Sequence, residues 1–163
     1  PRTEDMPTSP LGAYGRTKLA GEKAVAESGC KAIILRTAWL YSEFGNNFVK
    51  TMQSLMQTRS EVRVVADQIG TPTYTYDLAR LVVDMIQTDK YGIYHVTNEG
   101  DYISWYDFTL AIFEEAGVTH VKVTPVTSEE YGAAALIEEA CNYADAPKDG
   151  VVRPYEAFAL CLA

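Results

Sequence analysis

Apolar residues are distributed along this chain in two patterns, a regular spacing and short continuous runs. Apolar positions spaced three or four residues apart predict helices over residues 14–27, 47–58, 76–87 and 104–116. Short runs rich in apolar residues separate these helices and predict strands over residues 32–35, 62–66, 92–96 and 121–126. Because strands recur after helical crossovers, the pattern predicts an α/β fold with a mostly parallel sheet.

The same pattern divides the chain into three segments. Residues 1–13 contain three prolines and predict an extended lead-in, and residues 14–126 form the α/β region. Residues 127–163 form a tail in which the periodicity weakens. Within this tail, residues 128–140 favour a helix, and we expect a last short helix over residues 156–162.

Composition places the chain among ordinary globular proteins and excludes several classes. Of 163 residues, 47% are hydrophobic and 22% are charged, and the net charge is −8. This negative charge opposes contact with nucleic-acid phosphates or anionic membranes, so we expect neither as a partner. No apolar run reaches the roughly 18 residues of a membrane span. The chain begins with Pro1 rather than methionine, which indicates a processed product, a fragment or an incomplete record.

The cysteines and histidines do not form a metal-binding pattern. Three cysteines and two histidines are widely spaced along the chain. This spacing predicts neither a disulfide framework nor a zinc site. We therefore expect reduced thiols, a cytoplasmic protein and no bound metal.

Two glycine-rich phosphate-binding motifs are absent from the sequence. No two of its eleven glycines are separated by a single residue, and no glycine precedes a lysine. A dinucleotide-binding turn needs the first arrangement and a P-loop needs the second. The chain therefore lacks the main element that holds a dinucleotide cofactor.

A tyrosine and a lysine stand four residues apart at the start of the first predicted helix. Residues four apart on a helix share a face, so the ammonium of Lys18 can lie beside the phenol of Tyr14 and favour its ionised form. A tyrosine with a lowered pKa is a competent general acid or base. A solvated helix face would explain the pair equally well on this spacing alone.

Four stretches in unbroken order carry a resemblance to a known family. They are P-x-x-x-Y-G-R-T-K-L-A-G-E (10–22), I-I-L-R-T-A-W-L-Y (33–41), G-N-N-F (45–48) and D-Q-I-G-T-P-T (67–73). From residue 4 to residue 133 the chain resembles the extended short-chain dehydrogenase/reductases, and most closely the C-terminal part of the dTDP-4-dehydrorhamnose reductases. The resemblance implies a partial Rossmann-like fold that lacks its N-terminal half.

The resemblance also implies an activity and its catalytic residues. In that family the tyrosine protonates the sugar carbonyl as NADPH or NADH delivers hydride, and the lysine holds the nicotinamide ribose. These roles fall on Tyr14 and Lys18. We therefore expect the substrate-side portion of a reductase that acts on the keto group of a nucleotide-linked deoxysugar, inactive without its cofactor-binding half.

Further residues are implied as contacts of the nucleotide-sugar. The resemblance sets Trp39 against the sugar, and its place after a buried strand predicts that the ring faces the binding crevice rather than the core. Asn46 and Asn47 would lie near the nucleotide. A core aromatic and a helix N-cap are the respective structural alternatives.

A loop and three cations complete the implied substrate side. The loop of Thr71, Pro72 and Thr73 would lie beside the nucleotide, although a simple turn before and after proline explains it too. Three cations are candidates for the diphosphate, with a surface or structural role as the better interpretation: Lys50, Arg36 and Arg63.

Two other functions stay open at this point. The chain could be a non-catalytic regulatory or interaction module derived from the same family, or part of a related nucleotide-sugar epimerase. Strands that would pair with a missing half leave an exposed sheet edge, which that half or another chain would cover.

Overall fold

The structure is a computed structural model and describes residues 3–132 together with the backbone of residues 156–162. Its helices begin and end close to the predicted positions, and the first four correspond to the four predicted from apolar spacing. They are α1 (Ala13–Glu27), α2 (Phe48–Thr58), α3 (Thr75–Met85), α4 (Trp105–Glu115) and the single-turn α5 (Ser128–Tyr131).

The described strands form small sheets, several of them parallel. The strands are β1 (Lys31–Thr37), β2 (Leu40–Tyr41), β3 (Glu61–Val65), β4 (Ile69–Gly70), β5 (Thr73–Tyr74), β6 (Gly92–His95), β7 (Ile103–Ser104), β8 (Lys122–Val126) and β9 (Glu156–Leu162). β1 pairs in parallel with β6, β2 with β5, and β3 with β8. β4 and β7 are antiparallel. The predicted α/β class with parallel strands is confirmed.

The end of the chain differs from the prediction. Residues 156–162 form β9, which pairs antiparallel with β1 from Lys31 opposite Leu162 to Thr37 opposite Glu156. The expected helix is wrong there because β1 pairs with β6 on one side only, and a second strand satisfies its other edge. Tertiary pairing thereby overrides the helix preference of alanine and leucine.

The helix expected over residues 128–140 is interrupted at Gly132. α5 ends at Tyr131 because Gly132 adopts a left-handed conformation with φ of 72° and its amide donates to Glu129 O. The rest of the predicted helix lies outside the described residues.

The apolar core lies between two helices and one sheet. Met52 of α2 and Phe113 of α4 pack with Val62 and Val64 of β3 and with Val121. Each of these side chains is less than one tenth exposed. This cluster holds α2 and α4 against the β3–β8 pair.

The structure corrects one expectation about the chemistry of the chain, the state of its cysteines. Cys30 is disulfide-bonded, so the expectation of reduced thiols is wrong for this residue. In the described part of the chain, no helix is long and apolar enough to cross a bilayer. Nor do three or more histidine, cysteine or acidic side chains gather there in a way that could hold a metal ion.

Candidate functional site

Tyr14 and Lys18 lie together on the first two turns of α1. The helix starts after Gly12, whose extended backbone directs the chain into the first turn. The Lys18 Nζ lies over the Tyr14 ring, 5.3 Å from its centroid. Both side chains are half-buried. The structure therefore brings the predicted pair together, with the ammonium held by the electrostatic attraction of the ring face.

The face of α1 that carries this pair also carries a buried carboxylate. Glu22 lies one turn beyond Lys18 and is 5% exposed. Its two oxygens accept from the Arg36 guanidinium, with Nε donating to Oε1 at 2.9 Å and Nη2 donating to Oε2 at 2.6 Å. This bidentate ion pair connects α1 to the end of β1. Arg36 therefore has the structural role that the sequence analysis preferred to a contact with the diphosphate.

Arg36 is itself held by the neighbouring strand. It lies opposite His95 in the parallel pairing of β1 and β6, with 3.3 Å between Arg36 Nη1 and His95 Nε2. The backbone amide of His95 donates to Glu4 Oε1 at 2.8 Å. This amide donation is the main reason that the pKa of Glu4 lies below its ordinary value.

Trp39 does not face an open crevice. Its ring is 6% exposed and stacks on Trp105 with the centroids 3.5 Å apart and the planes 14° apart. A Cβ on Gly70 would come within 2.5 Å of the indole, so the ring also lies directly on the β4 backbone. The expectation that Trp39 faces away from the core is wrong, because Trp105 and Gly70 cover its faces. Contact between Trp39 and a sugar stays a prediction.

The backbone at Trp39 is also unusual. Its φ is +50°, the left-handed region, which no other non-glycine residue adopts in the described part of the chain. A bulky residue in this region is strained and needs surrounding structure to hold it. Here Trp39 O accepts from the amide of Thr73 at 3.1 Å, which connects the R-T-A-W stretch to the T-P-T stretch.

Buried polar atoms without partners gather on these two stretches. Among the described residues, Thr37 Oγ1, Trp39 Nε1 and Thr73 Oγ1 are buried and make no hydrogen bond. Buried polar atoms are nearly always paired in folded proteins. These three atoms are therefore candidates for hydrogen bonds to a ligand.

Asn47 has the structural role that sequence analysis offered as the alternative. Its Oδ1 accepts from the Lys50 amide at 3.1 Å and its Nδ2 donates to Ser42 O at 2.7 Å, so it caps α2. Asn46 is exposed beside it. Both asparagines and Lys50 line a polar recess of about 290 Å³. A contact of either asparagine with a nucleotide stays a prediction.

The D-Q-I-G-T-P-T stretch serves largely to join elements. The Asp67 carboxylate accepts from the Ser128 amide and hydroxyl, at 2.9 Å and 2.7 Å, and Gln68 donates to the same hydroxyl at 3.0 Å. Farther along, Thr71 and Pro72 are half-buried and Thr73 is 1% exposed in β5. Sequence reasoning found this stretch but missed its partner, because Ser128 lies about 60 residues away.

An apolar cavity of about 230 Å³ opens beside the stacked tryptophans. Sequence reasoning named most of its residues only as core or not at all, since distant elements assemble it. Its lining consists of Phe48, Met52, Arg63, Val64, Val65, Gln68, Trp105 and Tyr131. Arg63 is exposed and brings a positive charge to this mostly apolar wall. Phe48 packs on Trp105 with 4.4 Å between ring centroids.

Comparison with known proteins identifies a family that this chain matches. Residues 1–138 match the family model described as RmlD substrate binding domain. The chain is 46% identical over 132 residues to the spore coat polysaccharide biosynthesis protein SpsK of Bacillus subtilis, covering 81% of this chain and 46% of that protein. It is 43% identical over 127 residues to the dTDP-4-dehydrorhamnose reductase of Escherichia coli, covering 71% and 42%.

Solved structures agree with this placement. A dTDP-4-dehydrorhamnose reductase from Bacillus anthracis in complex with NADP matches with a TM-score of 0.75 and 48% identity, covering 78% of this chain and 45% of that one. The ortholog from Clostridium acetobutylicum matches with a TM-score of 0.76 and 52% identity, covering 80% and 46%. The chain thus spans less than half the length of these relatives. It belongs to the RmlD substrate-binding family, within the extended short-chain dehydrogenase/reductases.

Proposed function

We propose that this chain supplies the proton donor and the sugar side of an NADPH-dependent reductase acting on the keto group of dTDP-4-dehydrorhamnose or a close analogue. The observation that carries the proposal is the Lys18 ammonium over the Tyr14 ring, 5.3 Å from its centroid. The names of the relatives, several of them dTDP-4-dehydrorhamnose reductases, support this substrate class.

The chain's own residues fit one end of the cofactor. When bound, a reduced nicotinamide supplies hydride to the carbonyl carbon. The Tyr14 hydroxyl donates its proton to the carbonyl oxygen, and Lys18 stabilises the resulting phenolate and offers its N–H groups to the ribose. The sequence has no glycine-rich turn for the pyrophosphate, so this chain holds only the nicotinamide end.

The substrate side combines the cavity with the predicted contacts. Apolar and aromatic walls beside Arg63 suit a planar base attached to an anionic diphosphate. The unpartnered Trp39 Nε1 and Thr73 Oγ1 suit hydroxyl or carbonyl groups of the same ligand. The proposed contacts besides Arg63 are Trp39, Asn46, Asn47, Thr71, Pro72 and Thr73.

Removal of the Tyr14 hydroxyl tests the catalytic assignment. In the protein that contains this sequence, Tyr14→Phe should lower kcat by about 10²-fold or more, since general acid catalysis contributes on that scale. NADPH oxidation in the presence of dTDP-4-dehydrorhamnose measures the effect. Tyr76→Phe is the matched control, because Tyr76 is 58% exposed on α3. Near-normal turnover of Tyr14→Phe would refute the assignment.

Calorimetry on the 163-residue chain tests the cofactor assignment. Without a glycine-rich turn, the chain should bind NADPH much more weakly than the micromolar range, about −8 kcal/mol, of a complete dinucleotide site. It should likewise show no reductase activity by itself. Saturable micromolar binding of NADPH by this chain would mean that the cofactor's phosphates have a site that the sequence motifs do not reveal.

A further inference from the structure

We propose that Glu22 and Arg36 form a positioning pair that sets the rotation of α1 and thereby directs Tyr14 and Lys18 toward the substrate. The inference rests on the proposed function and deepens it. The pair touches neither substrate nor cofactor in this role, and it acts through the helix that carries the catalytic tyrosine.

Helix geometry connects the pair to the catalytic residues. Tyr14, Lys18 and Glu22 follow one another at intervals of four residues, so they share one face of α1 with a rise of about 6 Å between neighbours. A rotation of α1 about its axis moves all three together. Whatever fixes Glu22 therefore fixes the direction of the tyrosine and lysine side chains.

Among the described side chains, apolar burial on α1 is slight. The buried residues of α1 are Gly15 and Glu22, and the remaining described side chains of this helix are exposed or half-buried. A helix held by a broad apolar stripe can slide or turn slightly with little change in buried area, because burial is not directional. The planar guanidinium, in contrast, donates to both oxygens of a carboxylate in one fork-like geometry.

The guanidinium is anchored in the sheet. Arg36 is 5% exposed and lies opposite His95 in the β1–β6 pairing. Its carbonyl accepts from the Val96 amide at 2.8 Å, and its Nη1 lies 3.3 Å from His95 Nε2. A continuous set of directional contacts therefore leads from the sheet through Arg36 and Glu22 to the catalytic face of α1.

The stability of a variant that lacks both charges distinguishes a positioning role of the pair from a purely structural one. A buried ion pair contributes little net stability compared with apolar residues of similar volume, whereas removal of one partner leaves a buried charge unpaired. Glu22→Leu combined with Arg36→Met removes both charges and retains much of the volume. This double variant should keep the fold while losing the directional contact.

The test compares turnover with stability in the protein that contains this sequence, assayed with NADPH and dTDP-4-dehydrorhamnose. Glu22→Leu/Arg36→Met should unfold near the wild-type temperature, lose about 10- to 100-fold in kcat and keep its KM for the sugar nucleotide. Arg36→Lys retains the charge without the fork and should give an intermediate kcat. Glu61→Leu/Lys122→Met is the matched control, since this ion pair joins β3 to β8 with side chains 48% and 71% exposed.

Several outcomes would overturn the proposal. Full turnover of the double variant would mean that the pair serves the fold only, and unfolding of both the double variant and Arg36→Lys would mean the same. A slow Tyr14→Phe beside a fully active double variant refutes the positioning role alone. Full turnover of Tyr14→Phe refutes the proposed function and this inference with it.

Discussion

Two regions of the molecule hold their helices by different forces. In the region formed by α1, β1 and β6, a buried ion pair between Glu22 and Arg36 joins the helix to the sheet. In the region formed by α2, α4, β3 and β8, the contact is an apolar cluster that includes Met52 and Phe113. The ion pair that joins β3 to β8 in this second region is exposed to solvent.

The two kinds of contact have different effects, since one fixes the orientation of a helix and the other stabilises the folded state. Apolar burial contributes most of the free energy of folding and tolerates small shifts, whereas a bidentate ion pair contributes little net stability and permits one arrangement. The helix with the proposed proton donor has the directional contact. The helices around the apolar cavity have the non-directional one.

Truncation of the apolar core should give the largest change in stability. Phe113 is 3% exposed, and Phe113→Ala should lower the free energy of unfolding by about 3–5 kcal/mol through lost burial and a residual cavity. Urea denaturation measures the loss. Leu110→Ala is the control on the same helix, because Leu110 is 41% exposed. If Phe113→Ala instead left stability intact and lowered kcat, the division between the two regions would be wrong.

Removal of two helix caps should change the free energy of unfolding less than truncation of the core does. Ser104 caps α4 and Asn47 caps α2, each accepting from an amide three residues later, at 3.0 Å and 3.1 Å. Ser104→Ala and Asn47→Ala should each lower the free energy of unfolding by about 1 kcal/mol. If Asn47 also contacts the nucleotide, only Asn47→Ala should raise KM for the sugar nucleotide. Equal KM values for both variants would leave Asn47 as a cap alone.

The smallest expected effect is the pH dependence at Glu4. The amide of His95 holds the pKa of Glu4 below its ordinary value of 4.5, so the ionised carboxylate stabilises the folded state above that value. This contribution disappears as pH falls through the lowered pKa. Urea midpoints of Glu4→Gln should therefore lie slightly below wild type at neutral pH and coincide with it in acid. A difference between the two urea midpoints that grows in acid would contradict the expected direction of the pH dependence. Because Glu4 is exposed, the effect should be small.

Local pattern predicted most of the fold between residues 14 and 126. Apolar spacing located four helices, and the cap of α2 is one of the two asparagines for which a capping role was the alternative, namely Asn47. β9 was not predictable, because its conformation depends on an open edge of β1 that lies more than a hundred residues away. The disulfide at Cys30 was missed for the same reason, since spacing along the chain does not reveal proximity in space.

The candidate site was likewise predictable where its residues are close in sequence and not where distant elements meet. Tyr14 and Lys18 are one helical turn apart, so sequence predicted their contact. Trp39 was predicted to face a crevice because its strand position was known and Trp105, 66 residues later, was not recognised as its stacking partner. The apolar cavity was missed because four elements meet around it. Sequence analysis assigned no role to Glu22, although its spacing of four residues from Lys18 was the available signal.

Residues Gly70 and Trp39 have to be varied together in any redesign of this protein. The missing side chain at position 70 is the space that the indole fills, since a Cβ there would lie 2.5 Å from the ring. Replacement of Gly70 by alanine is therefore tolerable only with a smaller residue at position 39. A library that varies the two positions independently would consist mostly of clashes or voids, whereas paired variation preserves their combined volume.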